Sequence, residues 1–490
     1  MSFRVAFIGA GSIGFTRKLL GDLLSVPEFR DMEVAFTDIH PENLRMVTEL
    51  CQRDIDANGL SIRIVSSLDR REVLRGAKYV FCVARIGGLE AFQNDVEIPL
   101  RYGVDQCVGD TLGPGGILYG QRGIPAILDF CRDIREVAAP GAILFNYSNP
   151  MAMLTWAANQ YGGVHTVGLC HGVQHGHMQL TRVIERWARK QGIIAEDAVL
   201  KREEVDIVAA GLNHQTWFIQ AQWRGMDFIP RLLELFEDHP EYSRTEKVRI
   251  DVLRRFGYYS TESNGHLSEY LPWYRKRLDE IKQWIDLSDW IHGETGGYLR
   301  VCSERRRWFE TDFPNWLREP PHVYAAENRS EEHGSHIIEG LETGRIYRGH
   351  FNVRNRGIIT NLPEDAIVEV PGYVDRTGIQ TPLIGELPLG CAAICSASVS
   401  VQRLAVEAAV RGDDVLLRQA LLMDPLTGAV ANPLEVWQLV DEMLVAEAHW
   451  LPQYTQSIEK AKARLGENPP QRRYSEHTGA ARVTSQVASG

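Results

Sequence analysis

The chain has few cysteines, no excess of positive charge and no long uninterrupted hydrophobic run. Its eight cysteines among 490 residues follow no regular spacing, which is typical of reduced thiols rather than of a disulfide scaffold. The formal net charge of −11 argues against a surface for nucleic acid or anionic lipid. No segment approaches the roughly 18 to 20 uncharged apolar residues that cross a bilayer. Since the amino terminus also lacks the pattern of a secretory signal, we expect a cytoplasmic protein without nucleic-acid or membrane partners.

What the chain does contain is an alternation of strand and helix patterns over its first part. Strands are predicted at 4–9, 33–38, 61–65, 78–85, 142–150 and 164–170, with helices at 12–25, 41–56 and about 122–137. Such alternation predicts an α/β fold, a Rossmann-type doubly wound parallel sheet of the lactate/malate-dehydrogenase kind, here over residues 1–195. Antiparallel strands and long amphipathic helices, for example at 436–465, then predict an α+β domain over 196–467. The polar residues 468–490 predict a mobile tail.

The motif GAGSIG lies where the first predicted strand passes into a helix. It has the glycine spacing of a dinucleotide-binding turn, in which the helix amino terminus receives a pyrophosphate. The predicted cofactor-binding residues are Gly9, Gly11, Ser12, Ile13, Gly14 and Asp38. Asp38 ends the second strand, where a carboxylate binds ribose hydroxyls and repels a 2′-phosphate. The sequence therefore favours NAD over NADP.

Chemically active side chains follow the other strands, at the edge of the sheet where ligands bind. They are Arg85 in ARIGG, Asp110 in GDTLGPGG, Asn149 in SNPM, and Cys170 with His171 in GLCHG. Each has an ordinary structural alternative, such as capping a helix or stabilising a turn. We expect the segment GDTLGPGG, residues 109–116, to be irregular because of its glycines.

A second histidine, His214, follows an apolar strand in AGLNHQTW. A thiolate from Cys170 and an imidazole from His214 would suit Mn, Fe, Co, Ni or Zn. Their separation along the chain does not by itself identify a metal site, so this pair is a hypothesis about the folded molecule.

Taken together, these segments resemble glycoside hydrolase family 4. The resemblance covers residues 1 to about 465 in order and rests on GAGSIGFT, ARIGG with NDVEIPLRYGV, GDTLGPGG, YSNPMAM, GLCHGVQ, AGLNHQTW, TESNGHLSEYLPW and NRGIITNLPEDAIVEVP. It implies an NAD- and divalent-metal-dependent glycosidase, with Mn²⁺ as the expected metal. In that chemistry NAD⁺ oxidises carbon 3 of the sugar, a base removes the proton on carbon 2, and the glycosidic oxygen leaves. Water then adds and carbon 3 is reduced again.

The resemblance also implies roles for residues. Cys170 and His214 occupy the metal-ligand positions, Asn149 a substrate contact, and His171 the position of an acid, with Asp110 a rival acid or a group near the metal. The implied base is a tyrosine in FGYYSTES, either Tyr258 or Tyr259, with Tyr259 preferred. Glu262 is an alternative base, and core packing is the alternative for the tyrosine pair.

Gly172 follows the Cys-His pair, as in the uronidase branch, whereas serine there would indicate an α-galactosidase. We therefore expect α-galacturonidase or α-glucuronidase activity, with Arg85 or Arg354 binding the sugar carboxylate, and α-galactosidase activity as the alternative. An NAD-dependent 2-hydroxy-acid dehydrogenase and a non-catalytic NAD-sensing protein are more remote alternatives, since neither needs the Cys170–His214 pair. The partner is a small glycoside, and a homodimer or homotetramer is expected.

Overall fold

The computed structural model describes residues 3–286, 290–304, 312–470 and 472. In these residues the strands, β1 to β13 in chain order, are Arg4–Ile8, Glu33–Thr37, Ile64–Ser66, Ala77–Cys82, Ile143–Asn146, His165–Gly168, Asp206–Leu212, Gln215–Trp223, Met226–Asp227, Tyr259–Ser260, Tyr347–Arg354, Ile367–Asp375 and Gly378–Gln380. The helices, α1 to α20, are Ile13–Leu24, Pro41–Ala57, Arg70–Leu74, Gly88–Arg101, Gly113–Val137, Met151–Ala157, Gly172–Lys190, Leu232–Glu237, Tyr242–Thr245, Lys247–Phe256, Asn264–Tyr270, Leu278–Trp284, Gly297–Glu304, Phe313–Trp316, His333–Thr343, Leu389–Arg411, Asp414–Met423, Pro425–Val430, Pro433–Ala446 and Thr455–Glu467. Apart from residue 472, the predicted tail beyond residue 470 lies outside the described residues.

One continuous mixed sheet runs through both predicted domains. Its parallel part has the order β3-β2-β1-β4-β5-β6, which is the strand order of dinucleotide-binding folds. The antiparallel strands β11, β12, β7, β8 and β10 continue from the β6 edge, beginning where Asn352 lies opposite Gly168. This topology confirms the predicted doubly wound sheet with an added α+β part. The carboxyl end of β6 thereby lies close to the β7–β8 turn.

Helices cover both faces of the sheet, as parallel crossovers require. On one face α1 and α2 cover β1, β2 and β4, and α15 lies over β11 and β12, through buried aliphatic and aromatic side chains. On the other face α5, α6, α16 and α19 form a larger apolar core. The predicted α1 is confirmed: its buried residues include Leu19, Leu20 and Leu23, which lie on one side of the helix.

Helix α16 is the one helix in the described residues that is long and apolar enough, by length and composition alone, to cross a membrane. It packs against α5, α6 and α17, and half of its most apolar stretch is buried inside the protein. Small residues in LGCAAICSAS allow this close packing. We therefore interpret α16 as a core helix.

The prediction of an irregular segment at residues 109–116 is wrong in its second half, because α5 begins at Gly113. The glycines are needed for close packing rather than for irregular backbone. A Cβ on Gly115 would lie 2.6 Å from the carbonyl oxygen of Gly109, and one on Gly116 would lie 2.4 Å from backbone carbon of Thr111. The first turn of α5 can thus lie directly against the loop that carries Asp110.

Candidate active site

The glycine-rich loop joins β1 to α1 beside the end of β2. Gly9 has a left-handed backbone, with φ of 82°, and a Cβ there would lie 2.7 Å from the backbone of Ala84. The Gly11 amide donates to Oδ2 of Asp38 over 2.8 Å, whereas the space beside Gly14 is open for 4 Å. With Ser12 preceding the helix that Ile13 begins, the loop offers free space and unpaired amides for a pyrophosphate. These features fit NAD.

Replacing Asp38 by asparagine tests the predicted ribose contact. We expect the affinity for NAD⁺ to fall by about 10- to 100-fold, because a charge-assisted hydrogen bond is worth about 1.5–3 kcal/mol. The ratio of the NAD⁺ affinity to the NADP⁺ affinity should fall, because the carboxylate that repels the 2′-phosphate is lost. Calorimetric titration of both dinucleotides measures this, with Asp206→Asn as an exposed control. Unchanged NAD⁺ affinity would remove Asp38 from the cofactor site.

Cys170 and His214 come together across the sheet edge. Cys170 lies between the end of β6 and the start of α7, and His214 occupies the tight turn between β7 and β8. Cys170 Sγ is 3.4 Å from His214 Nε2. His214 has a φ of 63°, a left-handed conformation that a non-glycine side chain adopts at a cost. The turn thus holds this imidazole in place against the thiol.

Glu262 completes a three-residue cluster with this pair. One donor atom from each of Cys170, His214 and Glu262 lies within 4.8 Å of the other two. Glu262 also has a left-handed backbone, with φ of 73°, and its Oε2 is buried without a hydrogen-bond partner in the described residues. It reaches this position past Gly172, where a Cβ would lie 1.7 Å from Oε2. Gly172 therefore leaves the space that the Glu262 carboxylate occupies.

The spacing and electrostatics of the cluster fit a divalent cation. Two ligands bonded at about 2.3 Å through sulfur and 2.1 Å through nitrogen are separated by about 3.1–3.6 Å, which includes the observed 3.4 Å. Burial, followed by the carboxylates of Glu262 and Glu369, raises the pKa of the Cys170 thiol well above 9.0. A thiolate in this place therefore needs a cation beside it.

A hydrogen-bonded network connects this cluster to the other predicted residues. Asp110 is 2% exposed; its Oδ2 accepts from Asn149 Nδ2 over 2.9 Å, and its Oδ1 accepts from the Thr111 hydroxyl over 2.8 Å. Thr111 Oγ1 lies 2.9 Å from His214 Nδ1. Arg85 Nη2 lies 3.9 Å from Asp110 Oδ2. The structure therefore connects three of the predicted residues, Arg85, Asp110 and Asn149, with His214 in one network.

The Arg85 guanidinium is held inside an aromatic cage. It lies over the rings of Phe92, Tyr119 and Tyr298, with its central carbon 4.4, 5.0 and 5.7 Å from the ring centroids. The carboxylate that faces it is Asp110. Arg85 thus has a cation–π and ionic environment within the protein.

His171 follows Cys170 directly and precedes the first residue of α7. Its side chain is 40% exposed, and its Nδ1 lies 3.3 Å from Glu332 Oε1. Burial alone would lower the pKa of His171, but the hydrogen bond and charge of Glu332 and the charge of Glu262 raise it above 6.5. The imidazole can therefore carry a proton at the mouth of the site.

Tyr259 lies in a different environment from the Cys170–His214 cluster. Its ring is fully buried, stacked on Phe236 at 4.0 Å, with the Arg249 guanidinium 4.1 Å from its centroid. Its hydroxyl donates to Gln179 Oε1 over 3.0 Å. Burial raises its pKa well above 10.0. These contacts favour the core-packing alternative over the predicted role as a base.

Replacing Tyr259 by phenylalanine separates the two roles. If Tyr259 packs the core, glycosidase activity should stay within about threefold of wild type, and the lost hydrogen bond should cost about 1 kcal/mol of stability. Turnover and urea unfolding of the same preparation measure both quantities. A loss of activity above about 100-fold in a folded protein would restore the catalytic role.

Other residues of the site were not predicted from the sequence. His266 has its ring centroid 4.9 Å from that of His214, and it forms a second possible ligand set with Asp110 and His214. Tyr270 places its hydroxyl 3.5 Å from His214 Nδ1. Both lie on α11, in the TESNGHLSEYLPW segment on which the resemblance partly rests. The resemblance therefore marked this segment, but it assigned no role to His266 or Tyr270.

The chain matches known proteins along almost all of its length. Residues 4–186 match the family model described as "Family 4 glycosyl hydrolase", and residues 209–427 match its C-terminal domain. The chain belongs to glycoside hydrolase family 4. It is a glycoside hydrolase, as the sequence predicted.

Among curated relatives, an alpha-galactosidase of Rhizobium meliloti is 58% identical, with 95% of this chain and 92% of that protein covered. An alpha-galacturonidase of Bacillus subtilis is 29% identical over 90% of this chain and 96% of that protein. Among solved structures, a putative glucosidase of Bacillus subtilis has a TM-score of 0.77 at 27% identity, covering 91% of this chain and 100% of that one. A 6-phospho-alpha-glucosidase from gut microorganisms, solved with NAD and Mn²⁺, has a TM-score of 0.75 at 19% identity, covering 92% and 99%, and shares the fold.

Proposed function

We propose that this family 4 enzyme hydrolyses terminal α-galactosides with NAD⁺ and a divalent cation, Mn²⁺ being the first to test. The observation that carries the proposal is the contact of Cys170 Sγ with His214 Nε2 at 3.4 Å, beside the unpartnered Glu262 carboxylate. A set of donors that combines a soft thiolate with an imidazole and a hard carboxylate suits a transition metal. The nucleotide loop at Gly9–Gly14 supplies the second half of the site.

When bound, the cofactors would supply hydride-accepting chemistry at carbon 3 of the sugar and Lewis-acid polarisation of the oxygen there. The protein holds and orients them. Cys170, His214 and Glu262 would bind the cation, and the loop that includes Ser12 and Ile13 would bind the pyrophosphate. Asp38 would bind the ribose.

Further residues would act on the sugar directly. Asn149 has its amide at the end of β5, beside Asp110, and we assign it to a sugar hydroxyl. Asp110 orients Asn149 and Thr111, and through Thr111 it reaches His214. His171 stands at the exposed side of the cluster with a proton available, and we assign it to protonation of the leaving oxygen.

The charge of the site supports a neutral sugar over a uronate. The carboxylates of Asp110, Glu262 and Glu332 lie around the cluster. Arg85, the predicted partner for a sugar carboxylate, faces Asp110 at 3.9 Å and three aromatic rings, and its Nη1 has no hydrogen-bond partner in the described residues. A uronate would bring another negative charge into this group. The 58% identity to an alpha-galactosidase supports the same choice.

Two observations support the α-hexuronide alternative: the glycine at position 172 and the similarity to an alpha-galacturonidase.

We also infer a cytoplasmic location, because NAD and the free cysteines suit a reducing compartment. A homodimer or homotetramer remains our prediction for the assembly, and domains at residues 1–195 and 196–467 remain our prediction for the chain.

A panel of 4-nitrophenyl α-glycosides tests the sugar. Galactoside, galacturonide and glucuronide are compared by kcat/KM with NAD⁺, Mn²⁺ and a reductant present. We expect the galactoside to be preferred by at least about tenfold. Preference for a uronide would support the hexuronide alternative instead. If the protein hydrolysed none of these α-glycosides, the proposed function would be contradicted.

A further inference from the structure

Glu332 lies behind His171 and comes from a distant part of the chain. It immediately precedes α15, and its carboxyl reaches the loop between β6 and α7. Its Oε1 is 3.3 Å from His171 Nδ1 and 3.1 Å from Lys18 Nζ. Lys18 belongs to α1, the helix that follows the nucleotide loop. The carboxylate thus joins the histidine to the cofactor-binding half.

The surroundings of Glu332 keep its carboxylate charged beside His171. Glu332 is 1% exposed, and its Oε2 is buried without a hydrogen-bond partner in the part of the chain that the structure describes. Burial alone would raise its pKa, but the hydrogen bond and charge of His171, followed by Lys18, lower it to about 2. The carboxylate is therefore ionised and lies within ion-pair distance of the His171 ring.

We propose that Glu332 is a positioning residue for the leaving-group acid: it accepts Nδ1–H of His171, so that Nε2–H is directed to the glycosidic oxygen. The inference rests on the proposed function, in which His171 is that acid. A carboxylate behind a histidine fixes the tautomer and orientation of the ring and stabilises its protonated form.

The step is a proton transfer that accompanies bond cleavage. The bond between carbon 1 and the glycosidic oxygen breaks, and its electron pair stays on the oxygen, while the electron pair freed at carbon 2 by loss of its proton to the base forms the double bond between carbons 1 and 2. That oxygen takes the proton from Nε2 of His171, so the alcohol leaves neutral. His171 becomes neutral and keeps its Nδ1–H donated to Glu332. A water that later adds at carbon 1 returns a proton to Nε2.

The dependence on the leaving group tests this role. An alkyl α-galactoside needs a proton on its leaving oxygen, whereas a nitrophenolate leaves without one. For Glu332→Gln we expect kcat on methyl α-galactoside to fall by about 10- to 100-fold, and kcat on 4-nitrophenyl α-galactoside by less than about threefold. KM for both should change little, because Glu332 does not contact the sugar.

Two comparisons isolate the effect. Glu331→Gln is the matched control, since Glu331 is half-exposed and pairs with Arg202; it should leave both kcat values unchanged. In a His171→Asn background, adding Glu332→Gln should have no further effect on either substrate, because the group that it positions is gone. If Glu332→Gln does not fold, Glu332→Asp is used, with the same selective loss expected.

An equal loss on both substrates, or a further loss in the His171→Asn background, would overturn the role of Glu332. Wild-type protein that hydrolyses no α-glycoside with NAD⁺ and Mn²⁺ would instead contradict the proposed function. The two failures are distinguished by the wild-type assay alone. Binding of NAD⁺ and Mn²⁺ by each variant confirms that the site is intact.

Discussion

Replacing Cys170 by serine is expected to lower kcat/KM by at least about 10³-fold while leaving the NAD⁺ affinity within about threefold of wild type. The reason is the loss of the thiolate that faces His214 at 3.4 Å, since a metal contributes several kcal/mol at the reacting oxygen. The affinity for Mn²⁺ should fall by more than about tenfold. Calorimetry measures both affinities, and steady-state kinetics measures the turnover.

The control for this substitution is Cys51→Ser, the same change at a buried thiol on α2. It should reduce stability without changing kcat. Wild-type activity should also disappear on treatment with a chelator and return when Mn²⁺ is added. Full activity of Cys170→Ser, or of chelated wild-type enzyme, would rule out the cation that we assign to Cys170 and His214.

Replacing Arg122 by methionine is expected to destabilise the protein by about 3–5 kcal/mol. Arg122 is fully buried on α5, where it forms ion pairs with Asp95 on α4 and with Glu447 after α19. Its removal leaves two carboxylates buried without a counter-charge. The loss should be smaller at pH 5 than at pH 8. Burial already raises the pKa of Asp95 and of Glu447, while Arg122 opposes that rise, so without Arg122 both pKa values rise further and the folded variant binds more protons than the folded wild type. Urea unfolding at both pH values measures it.

The same helix provides the control, because Arg132 pairs with Asp129 on the surface of α5. Arg132→Met should cost no more than about 1 kcal/mol, since exposed ion pairs contribute little. If Arg122→Met were as mild as Arg132→Met, the buried ion pairs would not stabilise the contact between α4, α5 and the segment after α19.

The nucleotide-binding half could be predicted because its signals are local. The predicted helix 12–25 corresponds to Ile13–Leu24, and the strand 4–9 corresponds to Arg4–Ile8. Hydrophobic periodicity and glycine spacing extend over few residues. They can therefore be recognised without knowing which distant segments pack against them. The third strand was displaced, since the structure has Ile64–Ser66 where 61–65 was predicted. Only its first residue, Ile64, is half-buried and the other two are exposed, which weakens the hydrophobic pattern.

The sequence predictions that were wrong concern segments whose structure depends on long-range packing. Glycines at 113–116 indicated a loop, but they serve the contact of α5 with the loop before it. The apolar pattern from 436 to 465 indicated one long helix, whereas the structure ends α19 at Ala446 and begins α20 at Thr455. Tertiary contacts override local pattern in both cases.

The site was predictable where its residues follow strands, since the ends of parallel strands meet at one sheet edge. That rule places Arg85, Asn149 and Cys170 near one another, as the structure has them. Asp110 was predicted to follow a strand, but it lies in the loop between α4 and α5 and joins the site through Asn149. Glu332 could not be found in this way, because it comes from the segment before α15 and reaches His171 through folding alone.

Hydrolysis in D₂O tests the central claim most directly. The substrate that the panel selects is cleaved with NAD⁺ and Mn²⁺ present, and carbon 2 of the released sugar is examined by NMR and mass spectrometry. The free sugar incubated with the enzyme is the control. The account predicts deuterium at carbon 2 of the product, because a base of the site removes that proton. A product with hydrogen only at carbon 2 would contradict it.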